Sequence, residues 1–146
     1  GRPMARQPIY GRIKSTTSRP TRSATVRDLD WAAGFLEGEG TFLRHKHKTK
    51  HENGNGRYGG VGSERVAARQ KHRECLDRLT EVFGGNVTLI RPKGRMASGL
   101  PCNPIWDWHV TGVLARGVMM TLFSLLSAWR KAQIRRALGK AASHGL

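Results

Sequence analysis

The chain is poor in acid, in cysteine and in aromatic side chains. Only 10 of its 146 residues are Asp or Glu, against 26 Lys and Arg, so the formal net charge is +16. An imbalance of that size points to a polyanionic partner, most often nucleic acid. A membrane surface is the competing polyanion, but no basic amphipathic stretch with exposed large apolar residues stands apart from the core pattern. Long apolar runs are missing as well. None nears the roughly 20 residues needed to cross a bilayer, and no targeting helix or signal pattern opens the chain. The expectation is an intracellular protein with no membrane partner and no small-molecule substrate. Cys75 and Cys102 are the two cysteines. Neither belongs to a Cys-x-x-Cys unit, which excludes a zinc ribbon or a redox motif. Together with His45, His47 and His51 they match no standard zinc spacing. Two reduced, half-buried thiols are the simpler account.

What is present is organised in three parts. Residues 1–27 hold seven Arg or Lys and no acid, a basic tail with too little apolar surface to order itself. A domain is expected over 28–140, with a short C-terminal tail at 141–146. In the domain, Asp28 can cap a helix with apolar positions Leu29, Trp31, Ala32, Phe35 and Leu36. Residues 41–50 alternate as a strand, Asn-Gly-Asn-Gly at 53–56 and Gly59-Gly60 mark a hairpin loop, and 61–70 return. Leu76, Leu79, Val82 and Phe83 have helical spacing, stopped at Gly84-Gly85. Strands fit 86–91 and 105–111, joined by a Pro/Gly-rich loop carrying Lys93 and Arg95. Helices over 113–126 and 129–138 close the chain. That order implies an α+β fold, one antiparallel sheet covered on a single face.

The most informative stretch is Trp31-Ala-Ala-Gly-Phe-Leu-Glu-Gly-Glu-Gly-Thr-Phe42. Gly34 and Gly38 stand four apart, so they share a helical face and let a second backbone approach closely. That backbone belongs either to a second copy or to another helix of the same chain. Glu37 and Glu39 fall at the helix C-terminus, where the macrodipole disfavours anions by about 0.3–1 kcal/mol. Carboxylates kept there usually have a cation to bind. The stretch resembles the signature of the LAGLIDADG homing endonucleases. Ala33-Gly34 match its Ala-Gly, Phe35-Leu36 the apolar pair, Glu37 the first acid, Gly38 the small residue, and Glu39-Gly40 the second acid and terminal glycine. Ala32 stands where the family has leucine, and both acids are Glu.

The resemblance implies an αββαββα domain with a basic concave face open to nucleic acid. It implies a homodimer through Ala33, Gly34, Glu37 and Gly38, and Mg2+ or another divalent cation held at Glu39 and Gly40. Gln70 matches the residue that orders attacking water, and Arg130, with Lys131 beside it, occupies the place of a catalytic-site lysine. The activity implied is a double-strand break in a specific double-stranded DNA site, from an intron-, intein- or phage-borne gene. The alternative is a nuclease-inactive relative holding structured RNA, favoured by the basic tail and by arginine at the lysine position. Strand alternation places Arg44, Lys46, Lys48 and Lys50 on one side, and Arg65 and Arg69 on one side of the return strand. The arginines could reach base edges in a major groove and the lysines phosphates; the bland alternative is a solvated charged face.

Overall fold

The computed structural model describes residues 18–46, 48–50, 56–58, 62–91 and 93–145, and the side chains at 48–50, 56–58 and 140–145 lie outside that description. Residues 1–17 and most of the glycine-rich loop between 51 and 61 also fall outside it.

The first helix, α1 (Val26–Glu39), starts three residues earlier than Asp28 would place it. Thr25 is the N-cap. Its hydroxyl accepts from the Asp28 N–H at 3.1 Å, and the Asp28 carboxylate accepts from the Thr25 N–H at 2.9 Å. Asp28 is therefore the third helical residue of a reciprocal cap. It is buried, and Arg22 holds it through two hydrogen bonds of 2.6 and 3.1 Å. Residues 18–25, which composition assigned to the tail, lie against the domain. Ser18 bridges Gly85, and the Thr21 N–H donates to the Glu81 carbonyl.

After α1 come β1 (Gly40–His45), β2 (Lys48–Lys50), β3 (Gly56–Tyr58), β4 (Ser63–Gln70), α2 (Glu74–Phe83), β5 (Asn86–Ile90), β6 (Ile105–Thr111), α3 (Gly112–Leu122), a 3-10 turn (Phe123–Leu125) and α4 (Ala128–Gly145). The main sheet is antiparallel in the order β1-β4-β6-β5, and β2 pairs with β3 as a separate ribbon. The single strand expected over 41–50 is thus split. Gly62 takes a left-handed φ of 74° directly against the His45 carbonyl, and the main ladder ends at the His45–Ser63 pair. The last helix is longer than its apolar spacing suggested and continues to Gly145, into the segment assigned to a C-terminal tail.

All four helices contribute to one core against one sheet face. Leu36, Leu76, Leu79, Met119, Leu122 and Ile134 pack on Phe42, Val66, Ala68, Trp108 and Val110. The buried Trp108 indole donates to the Gly84 carbonyl at 2.9 Å, tying the sheet to the end of α2. The opposite sheet face carries no helix among the described residues. Register places Thr41, Leu43 and His45 of β1 on it, with Arg65, Ala67 and Arg69 of β4 and Asp107, His109 and Thr111 of β6.

Candidate nucleic-acid interface and catalytic carboxylate

Glu39 is the last residue of α1, and Gly40 opens β1 without a break. The Gly40 N–H donates back to the Leu36 carbonyl. A Cβ at residue 40 would stand 2.6 Å from that carbonyl oxygen and 3.0 Å from the Leu36 Cβ, so a side chain has no room. The helix can therefore turn straight into β1, the edge strand of the sheet, and Glu39 is left at the exposed corner. Its carboxylate has no protein partner among the described residues. It borders a groove on the open sheet face lined by Thr41, Leu43, Arg65, Ala67, Ala68, Arg69 and Asp107.

This groove unites Glu39, Arg65 and Arg69. It also contains an acid that sequence reasoning missed. Asp107 sits in the middle of the open face, with its side chain 5% exposed. Arg69 Nε donates to its Oδ1 at 3.1 Å, and His109 Nδ1 lies 3.2 Å from its Oδ2. Arg65 is more distant, at 4.0 Å. Burial would raise the Asp107 carboxyl, but the hydrogen bonds from His109 and Arg69 and their charges outweigh it and hold it below the usual range. The signal was available: Asp107 lies between two core tryptophans, so alternation turns it outward, and the ladder sets it opposite Arg69.

Several expected site residues lie elsewhere. Arg44 shares the parity of the core residue Phe42 and faces the helices. Its side chain, 6% exposed, pairs with Glu64 at 2.8 Å and donates to the Ala137 and Gly62 carbonyls at 2.8 and 3.0 Å. It therefore lies on the helix side of the sheet and not on the open face. Lys46 is exposed just beyond β1, and Lys48 and Lys50 are placed in β2 as backbone only. Lys93 and Arg95 are exposed in the β5–β6 loop, where Arg95 donates to the Gly99 carbonyl. Gln70 ends β4 opposite Trp106, with the helix-facing parity of Ala68, and does not line the groove.

Arg130 is buried. Nε and Nη2 donate to the Glu37 carbonyl at 3.0 and 2.9 Å, and Nη1 to Gln133 at 2.9 Å. It closes the exposed carbonyl end of α1 rather than facing the groove. Lys131 places its ammonium 5.7 Å from the Phe123 ring centre, on α4. The expected interface also divides. Ala33 is buried in the chain's own core. Glu37 accepts from the Ser127 N–H at 2.7 Å and the Ser127 hydroxyl at 2.8 Å, at the start of α4. That N–H, with the hydroxyl and the Arg130 charge, holds the Glu37 carboxyl below its usual range against a weaker push from burial. Gly34 and Gly38 are different. Both are exposed, and a Cβ at either would meet nothing within 4 Å, so no helix among the described residues packs on that stripe.

No protein-family model matches the sequence. No curated protein is significantly similar. Among solved structures, the homing endonuclease I-CvuI in complex with its target in the presence of calcium matches over 76% of this chain and 65% of that one, at a TM-score of 0.50 and 17% identity. The fold is that of the LAGLIDADG homing endonucleases. I-CvuI in complex with the I-CreI target in the presence of magnesium gives a TM-score of 0.48, 17% identity and coverages of 76% and 65%. The group I intron-encoded homing endonuclease I-CeuI complexed with DNA gives 0.46, 16% identity and coverages of 81% and 54%. The chain thus spans just under two thirds of the I-CvuI chain. In this fold α1 carries most of the 31–42 stretch that resembles the family signature, and Glu39 is its last residue.

Proposed function

We propose that the chain is one subunit of a homodimeric, divalent-metal-dependent endonuclease that cuts both strands of a specific DNA site. The observation that carries this reading is the position of Glu39. It is an exposed carboxylate, without a partner among the described residues, at the corner between an open glycine stripe and an arginine-bearing groove.

Among the described residues no cluster of three or more His, Cys, Asp or Glu could hold a metal. The described donor set, with Glu39 as its exposed carboxylate, suits half a site. Magnesium accepts that, because it takes one or two carboxylates and keeps waters and substrate phosphates as its other ligands. Two copies meeting at Gly34 and Gly38 would bring two Glu39 carboxylates together, each serving one strand. A bound divalent ion would supply Lewis-acid stabilisation of phosphoryl oxygens and an activated water.

The chain's own residues would hold and orient the duplex. Arg65 and Arg69 lie on an antiparallel surface that no helix covers among the described residues, of a kind that enters a major groove. Exposed Lys46, Lys93 and Arg95 flank that surface and suit phosphates. Arg130 acts as a positioning residue. It fixes the Glu37 carbonyl two residues before Glu39 and so sets where the carboxylate stands.

Incubating the full chain with a randomised duplex pool and magnesium, then sequencing captured ends, tests the reading. A recurrent cut site that disappears with EDTA and in Glu39→Gln supports it. Undiminished cutting by Glu39→Gln refutes the assignment. Magnesium-independent retention of structured RNA without any cutting would favour the non-nuclease alternative.

A further inference from the structure

Asp107 poses a question that the endonuclease reading leaves open. A carboxylate in the middle of a surface meant for a polyanion weakens the field that attracts phosphates. Yet it is the best-buried polar group on that face, with hydrogen bonds to both oxygens.

We infer that Asp107 and Arg69 form a guanine-reading site, in which Asp107 pins Arg69 so that its two terminal nitrogens meet the O6 and N7 of one guanine in each half of the target. The inference rests on the DNA-binding role proposed for the open face. The geometry supports it in three ways. Asp107 Oδ1 takes the Nε hydrogen of Arg69 at 3.1 Å, which leaves the Nη1–Nη2 edge as the free donor pair. No partner for that edge occurs among the described residues, and the Arg69 side chain is 60% exposed while its anchor is 5% exposed. An arginine fixed at Nε loses less side-chain freedom on binding than a free one, because its planar fork is already oriented.

The ligand follows from the donors. A fixed pair of parallel N–H groups wants two adjacent acceptors. In the major groove only guanine presents O6 and N7 together; adenine and cytosine place an amino donor there, and thymine a single acceptor beside a methyl group. A phosphate also offers two acceptors, but the underlying carboxylate repels it. A neutral base edge meets no such penalty. Arg65 stands nearby at 4.0 Å from Oδ2 and His109 occupies that oxygen at 3.2 Å. The second carboxylate oxygen is thereby satisfied, and Asp107 need not turn towards a base itself.

The test is selection of a randomised duplex library by the full chain without magnesium, so that binding is read without cutting. The wild-type protein should enrich duplexes with an invariant guanine, and replacing that base by 7-deazaguanine should weaken binding about 10- to 100-fold. Arg69→Lys keeps the charge and its exposure makes folding safe. It should bind with the same salt dependence but lose the preference at that one position. Asp107→Asn should relax the same position only; if its thermal melt shows it unfolded, the Arg69→Lys arm decides alone. Retention of the full sequence preference by Arg69→Lys overturns the inference while leaving DNA binding intact. Failure of the wild-type chain to retain any duplex overturns the DNA reading and this inference together.

Discussion

Arg130 and Glu37 are joined through the backbone as well as through charge. Two guanidinium nitrogens of Arg130 converge on the Glu37 carbonyl oxygen at 3.0 and 2.9 Å, while the Glu37 carboxylate accepts from Ser127 at the start of α4. The C-terminal end of α1 and the N-terminal end of α4 thus close each other. Orphan carbonyl and N–H groups at both ends find partners, and the helix dipoles favour this arrangement of charges. The clamp lies two residues before Glu39.

If Arg130 works as this clamp, its replacement costs stability before it costs chemistry. Arg130→Ala should lower the unfolding free energy by about 2–3 kcal/mol, since it removes charge-assisted hydrogen bonds from a buried guanidinium to the Glu37 carbonyl. Arg130→Lys should recover only part of that, because an ammonium cannot reproduce the planar fork. Urea unfolding of the two variants checks this. Wild-type stability in Arg130→Ala would contradict it.

The glycines of the signature separate into two kinds. Gly40→Ala should destabilise the chain by about 1–3 kcal/mol, because the new methyl meets the Leu36 carbonyl in a packed corner. Gly34→Leu and Gly38→Leu should leave monomer unfolding nearly unchanged and shift the population to monomer in sedimentation analysis. A dimer that survives both substitutions would place the seam elsewhere.

Glu64 sits on the core face of β4 between Arg44 and Arg116, at 2.8 and 3.1 Å, with its side chain 2% exposed. Removing one partner of a buried pair strands the other charge. Glu64→Ala should cost about 3–5 kcal/mol in denaturant unfolding. Arg44→Met keeps an apolar stem and leaves Glu64 its Arg116 partner, so it should cost less in the same measurement.

Acid should unfold the protein in a definite direction. Arg22 first, then the Thr25 N–H, hold the Asp28 carboxyl far below the usual range. Glu64 is also held low: burial opposes this, but its backbone hydrogen bond, Arg116 and the charge of Arg44 prevail. These groups bind protons more readily when unfolded. Stability is therefore fully present above pH of about 5 and is lost as the pH falls through about 4 towards 2. Melting temperatures across that window should fall steeply for wild type and less steeply for Asp28→Asn. Parallel curves would show that Asp28 contributes nothing to the acid limb.

Local pattern made much of this legible in the sequence. The α1 signature, the α2 stripe from Leu76 to Phe83 and the alternation through Trp106, Trp108 and Val110 give helix, helix and strand in the right places. Arg44 was misplaced because alternation gives two faces without saying which is buried; Phe42, two residues before it, decides that once its packing is seen. The split between β1 and β2 depends on the φ of Gly62, which meets His45 only across the ladder. Glu37 and Ser127 are 90 residues apart, so no spacing rule connects them. Asp107 was legible in principle, since its strand parity and its partner on β4 both follow from the pairing, yet pairing register is a tertiary property.

The central claim is that each subunit supplies one glutamate for one DNA strand. A purified heterodimer of one wild-type and one Glu39→Gln subunit, given magnesium and a supercoiled plasmid bearing the selected site, tests it directly. The account predicts that this heterodimer stops at the nicked circle, while the wild-type homodimer goes on to linear product. Linear product from the heterodimer at the wild-type rate would contradict it.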